Sequence, residues 1–217
     1  MKSIFSPDGV LFHIAERVGN LILLNLLYIV CCIPIVTIGP ATAALHYVTL
    51  KYAADEEDRV LKPFLHSFRQ NMKQGMIIGL LSTALGVFLA LDLYYMYQIA
   101  SNGTFFNKVA LGAVALACLL YLMVMTYVYP LLARYDNSLK QMLRTALILA
   151  ITHLPATVCM TVLSLAPILL LLYTFSATLL SIAFYLFIGF AAIAFFQDKL
   201  MVRIFWQYTP RTTEDEE

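Results

Sequence analysis

Long apolar runs alternate along this chain with short segments in which large apolar residues recur every three or four positions among charges. Residues 76–99, 109–132, 146–173 and 177–196 form four runs of about 20 residues or more, the length an α-helix needs to cross ~30 Å of hydrocarbon. From Ala146 to Phe196 there is no Asp, Glu, Lys or Arg. That stretch suits two helices joined near Thr174–Ser176, with Pro167 close to the bend. Pro155 is expected to kink the earlier one, because proline lacks the N–H of the helical ladder and its ring crowds the preceding turn.

The segments between the runs read differently. In DRVLKPFLHSFRQNMKQ, Leu61, Phe64, Leu65, Phe68 and Met72 fall on one helical stripe, with Lys62, Arg69 and Lys73 off it. That pattern predicts an amphipathic helix lying along a membrane surface or against the base of a bundle. The acidic run from Asp55 to Asp58 suits its N-terminus. Met201, Ile204, Phe205 and Tyr208 repeat the stripe, opposite Lys199 and Arg203. Residues 210–217 read as a disordered acidic tail to a single helical domain of residues 1–209.

The first 60 residues are harder to read. A run from Leu21 to Ile33 meets Pro34, then Gly39-Pro40, and a short apolar stretch, residues 41–54, follows. At 1.5 Å per residue the two arms are ~20 and ~21 Å long, short of the hydrocarbon core. They predict a helical hairpin, re-entrant or tilted to full depth, that turns in PIVTIGP. Thr37 and Thr42 are expected to satisfy backbone groups freed at the turn. The run starts only after Asp8, Glu16 and Arg17, and no small-x-small site follows, so it does not read as a cleaved signal.

Composition supports the membrane reading. Hydrophobic residues make up 61% of the 217 positions and charged ones 12%, about half the charge of a soluble domain, and mean hydropathy is +0.81. The cations cluster in residues 51–73, 134–144 and 199–211, whereas residues 98–107 and 174–176 carry none. The positive-inside rule places those clusters and the C-terminus in the cytoplasm, and a hairpin puts the N-terminus there as well. Lys62, Arg69, Lys73, Arg144 and Arg203 are the expected membrane-surface residues. Tyr94, Tyr95, Tyr97, Tyr127, Tyr129 and Trp206 stand where amphipathic rings anchor at headgroups.

Little reactive chemistry is legible. The chain has no P-loop, no HExxH and no evident Ser/His/Asp set, and its four cysteines sit singly or side by side in apolar runs. No cofactor, metal or nucleic-acid partner is expected. Asp92, the one acid inside a strong run, lies ~24 Å along its helix, beside tyrosines; it reads as an interfacial residue or as an ion or substrate contact. Asn25 and His153 lie at similar depths, as interhelical hydrogen-bonding groups or as part of a polar pathway. Asn25, Thr37, Thr42, Asp92 and His153 are therefore the candidate intramembrane contacts.

Three stretches carry a resemblance: NLILLNLLYIVCCIPIVTIGPATAALHYVTLKYAADEE, PFLHSFRQNMKQG and ARYDNSLKQMLRTALILAITHLPATV. Together they resemble the YesL-like family of bacterial membrane proteins, with His46 where tyrosine is expected in many members. The family has no known activity. Its members are typically encoded near carbohydrate ABC importers, glycoside hydrolases and sensor kinases, so the resemblance implies a link to sugar utilisation. Three function classes stand open: an accessory or regulatory subunit of an importer or kinase, a small solute transporter using the broken Pro34–Pro40 segment, and a membrane enzyme. An internal repeat is a further expectation. Aligning residues 68–79 with 139–150 pairs Arg69 with Lys140, Lys73 with Arg144 and Asn71 with Met142.

Overall fold

A computed structural model describes residues 10–56, 59–101, 103–135, 138–171 and 175–208. The acidic tail lies outside them. Among the described residues every regular element is helical. Helix α1 spans Val10–Cys32, and a 3₁₀ turn, Ile35–Thr37, leads into α2, Ile38–Ala53. Helices α3 (Leu61–Gln70), α4 (Met72–Ser101), α5 (Phe105–Arg134), α6 (Leu139–Thr152) and α7 (Leu154–Leu171) follow. Helix α8 (Phe175–Phe184) continues through a π turn, Tyr185–Gly189, into α9, Phe190–Tyr208.

Among the described residues, four stretches are long and apolar enough to cross a membrane: Ala15–Cys32, Met72–Ser101, Phe105–Arg134 and Thr178–Gln207. Leu139–Thr152 with Leu154–Leu165 would make a fifth, bent by 103°. The bundle is thus the expected all-α one, with local corrections. Helix α1 starts at Val10, well before the apolar run, so the two hairpin arms are unequal. A polar, charged segment such as residues 15–20 can continue a helix without being buried, and Ala15–Gly19 are exposed.

Helix α2 is the hub. At 16 residues it is ~24 Å long, yet Gly39, Pro40, Ala41, Ala43, Ala44, Leu45 and Val48 are all buried. One apolar cluster on it gathers Leu24, Phe64, Ala191 and Ala194; a second gathers Ile78, Tyr127, Leu131, Met142, Met201 and Phe205. At its start, Gly39 lies on Gly75 and Gly79 of α4. A Cβ added to Gly39 would stand 1.9 Å from the Gly75 carbonyl oxygen. This Gly-xxx-Gly pair lets two backbones touch, the usual route to close helix packing in lipid. Because the hairpin turn meets α4 near its beginning, residues 80–101 run on ~33 Å beyond it.

The C-terminus of α2 closes with Glu56 N–H on Lys51 O, 3.0 Å, and Asp55 N–H on Tyr52 O, 3.3 Å. Asp55 holds the left-handed position, φ 56°, usually taken by glycine, and pairs with Arg17 of α1. The first two acids of the run therefore end α2 rather than open α3, whose N-cap is Val60. Helix α3 seats Phe64 in the core, stacked on Phe68 at 6.2 Å, with Lys62 and Arg69 exposed.

The expected kink at Pro155 is a break at His153. Pro155 offers no N–H to the ladder, and at the break the Thr157 hydroxyl lies 3.1 Å from Ala150 O and 2.9 Å from His153 O. Tyr127 OH joins it at 2.7 Å. The proposed repeat does not hold in its register, since Asn71 ends α3 while Met142 is buried inside α6. The stripe Met201–Phe205, expected as a separate interfacial helix, instead continues α9 without a break.

Candidate functional site

The residues singled out from sequence lie apart from one another. Asn25 sits on the buried face of α1 and reaches the π turn: its Nδ2 donates to Tyr185 O and Leu186 O, both 3.0 Å, and its Oδ1 accepts from Ala191 N–H at 3.1 Å. A π turn shifts the helical ladder by one residue and leaves backbone groups unmatched; the carboxamide matches them. Thr37 donates to Cys31 O (2.6 Å) and Pro34 O (2.7 Å), and Thr42 to Ile38 O (2.7 Å). Both serve the hairpin turn. Asp92 is part-exposed on α4, two residues before Tyr94, and His153 marks the α6–α7 break. Lys62, Arg69, Lys73, Arg144 and Arg203 are all exposed.

The polar groups that do converge are others. Asp198 of α9 is 0% exposed, and both its carboxylate oxygens lie 3.0 Å from His46 Nδ1 of α2. Thr49, one turn further along α2, places its hydroxyl on the same carboxylate. An N–H aimed between two carboxylate oxygens fixes the tautomer, with the proton on Nδ1. Nε2, on the opposite edge of the ring, is left to a cavity of about 220 Å³ between α2, α5, α7 and α9.

His46, Thr126, Thr161, Ser164 and Gln197 supply the polar wall of that cavity, and Leu122, Met125 and Leu165 the apolar one. Gln197 Nε2 donates to Met160 O at 3.0 Å and to Ser164 Oγ at 2.6 Å. Ser164 donates in turn to Met160 O at 3.2 Å, Thr161 to Thr157 O at 2.8 Å and Thr126 to Leu122 O at 2.9 Å. Every hydroxyl on this wall thus spends its proton on its own helix.

Asp198 was overlooked because it stands at the charged end of the last run, next to Lys199, where an acid normally marks the return to water. Its place on the buried stripe Ala191, Ala194, Asp198, Met201, Phe205 was the available signal: spacings of three and four put all five on one face. His46 was noted only as a departure from tyrosine. The broken segment at Pro34–Pro40 does not line the cavity; Ile33 and Ile35 there are 76% and 69% exposed.

Residues 21–93, covering α1 through most of α4, match the family model described as "Protein of unknown function, DUF624". The chain is 26% identical to the uncharacterized protein YesL of Bacillus subtilis (strain 168) over 164 residues, 74% of this chain and 76% of YesL. It is 28% identical to YteU and to YesV of the same organism over 137 residues, 63% of this chain. The matched stretch spans less than two thirds of those two proteins, 60% of YteU and 64% of YesV. No solved structure matches. These matches, together with a bundle of helices apolar enough for a bilayer, make the chain similar to the YesL-like family, whose function is unknown.

Proposed function

We propose that the protein is a non-catalytic accessory or regulatory component of a membrane system for carbohydrate uptake or utilisation, partnered with an ABC importer subunit or a sensor kinase. It would sit in the plasma membrane as a multi-pass protein with both termini in the cytoplasm. The carbohydrate link rests on the resemblance to the YesL-like family alone. The non-catalytic part rests on how the polar groups around the cavity are used. Ser164 shares the cavity with His46 and, through it, with Asp198, which on residue type alone would suggest an acyl-transfer triad. Its hydroxyl instead donates to Met160 O and accepts from Gln197, which supports a non-catalytic role, since a nucleophile would be hydrogen-bonded to its base.

Crosslinking in native membranes, followed by purification, should recover an importer permease or a sensor kinase. The pure protein in proteoliposomes should move no sugar. Covalent labelling of Ser164 by a fluorophosphonate would sink the non-catalytic reading. A reactive tag at Ser3 that labels from outside intact cells would sink the orientation. A small solute transporter is the second reading, favoured by the polar cavity in the bundle; sugar flux with the purified protein alone would establish it.

A further inference from the structure

We infer that the cavity between α2, α5, α7 and α9 is a binding site for a small organic cation bearing N–H donors, a primary ammonium compound. The first argument is the direction of the hydrogen bonds. The hydroxyl protons of Thr126, Thr161 and Ser164 are committed to backbone carbonyls, and both Gln197 Nε2 protons are committed as well. His46 Nδ1 is committed to Asp198. What remains toward the cavity is a set of acceptors: His46 Nε2, Gln197 Oε1 and the hydroxyl lone pairs. Such a lining is matched by a ligand made of donors. An ammonium head has three and no acceptor.

Charge is the second argument. Asp198 is wholly buried, and its partners among the described residues are the Thr49 hydroxyl and His46 Nδ1, with no Lys or Arg. A buried carboxylate without a compensating cation is strongly unfavourable. No Lys or Arg is among the residues lining the cavity, and the neighbouring Lys199 is exposed. A cation bound at Nε2 would bring a positive charge to this cluster through the imidazole, which polarises toward Asp198 as metal- and substrate-binding histidines do toward their carboxylates.

Size is the third. About 220 Å³ is roughly the share of seven liquid waters, too roomy for a bare metal ion in direct coordination and ample for an amine of a few carbons. His46 and Gln197 are each 7% exposed and Thr161 4%, so the acceptors are held in the bundle rather than on its surface.

The site is independent of any importer or kinase, so it is tested on the purified full-length protein in nanodiscs. Thermal unfolding is followed with methylammonium chloride, sodium chloride and erythritol, each added at equal concentration and matched ionic strength. Methylammonium should raise the unfolding temperature, and sodium and erythritol should not. Asp198→Asn keeps the shape and the hydrogen bond to His46 but removes the charge. It should weaken methylammonium binding by about tenfold or more, the usual scale for a charge-assisted contact. Thr161→Val, whose hydroxyl bonds only its own helix, should weaken binding less and leave the unfolding temperature of the free protein nearly unchanged. It therefore reads the site even where Asp198→Asn folds poorly. No stabilisation by methylammonium, an equal effect of sodium, or full binding by both variants would overturn the inference. Stabilisation by erythritol alone would overturn it in favour of a neutral polyol.

Discussion

The two ends of the bundle differ in sequence and are held together differently. Around α2, small and polar residues are buried: Gly39, Ala41, Ala43 and Ala44 let neighbouring helices approach, and His46, Thr49 and Asp198 bond across them. At the far end, α4 and α5 form a hairpin of long, strongly apolar helices, little of which is buried. Leu81, Phe88, Tyr95, Phe105 and Phe106 stand exposed along it. Two of its ties lie in the half nearer α2, Tyr121 OH to Ser82 O at 2.7 Å and Ser82 to Tyr129 at 3.1 Å, and Cys118 Sγ to Leu89 O at 3.6 Å lies just past the middle. In lipid an exposed leucine is already in a favourable solvent, so apolarity does not set how tightly each region is held. Close backbone approach and hydrogen bonds do.

Substitutions can break this contrast, and the largest effect is expected at Gly39. Gly39→Leu would drive a side chain into the α4 backbone and should abolish a monodisperse folded protein. Gly112→Leu on α5, where nothing lies within 4 Å of an added Cβ, should leave the gel-filtration profile unchanged. Equal behaviour of the two variants would remove the contact at Gly75 and Gly79 as the basis of the hub.

A similar pairing tests the apolar side. Phe64→Ala empties a fully buried site under α2 and should cost about 3–5 kcal/mol of stability. Phe88→Ala, at a position 64% exposed, should cost under ~0.5 kcal/mol. Unfolding in a denaturing detergent series measures both.

Asn25→Leu probes the polar ties. It removes three interhelical bonds, two to the π turn and one to Ala191 of α9, and with membrane-embedded bonds worth about 0.6–1.7 kcal/mol each it should cost about 2–5 kcal/mol. Hydrogen exchange should then speed up at Ala191 while the α4–α5 tip stays unaffected. Unchanged exchange at Ala191 would show the π turn to be self-sufficient.

The smallest effect belongs to Asp55. Asp55→Asn keeps a residue tolerant of the left-handed conformation but removes the exposed ion pair with Arg17, and should change stability by less than ~1 kcal/mol.

Much of the fold was legible because the cues are local. Run length gave the strong spans, and helical spacing gave the stripe that seats Phe64. Pro155 pointed to the third span's break within two residues, but the angle of 103° depends on Thr157 and Tyr127, which proline spacing does not report. Asn25, Thr37 and Thr42 were recognisable as polar residues in apolar surroundings, although their partners were not. The central cluster was hidden for a different reason. His46 and Asp198 are 152 positions apart, and each alone resembles an ordinary residue near a helix end.

The sequence by itself determined an all-helical, membrane-adapted chain, since apolar run length, charge placement and proline spacing act within a few turns of the residues that carry them. Only the tertiary structure decided that the short α2 would be the hub. It also decided that Gly39 would meet Gly75 and Gly79 and that Asp198 would turn inward to His46 rather than outward to water. Those outcomes depend on which helices come to lie side by side, and a buried carboxylate is tolerated only where distant segments bring their donors to it.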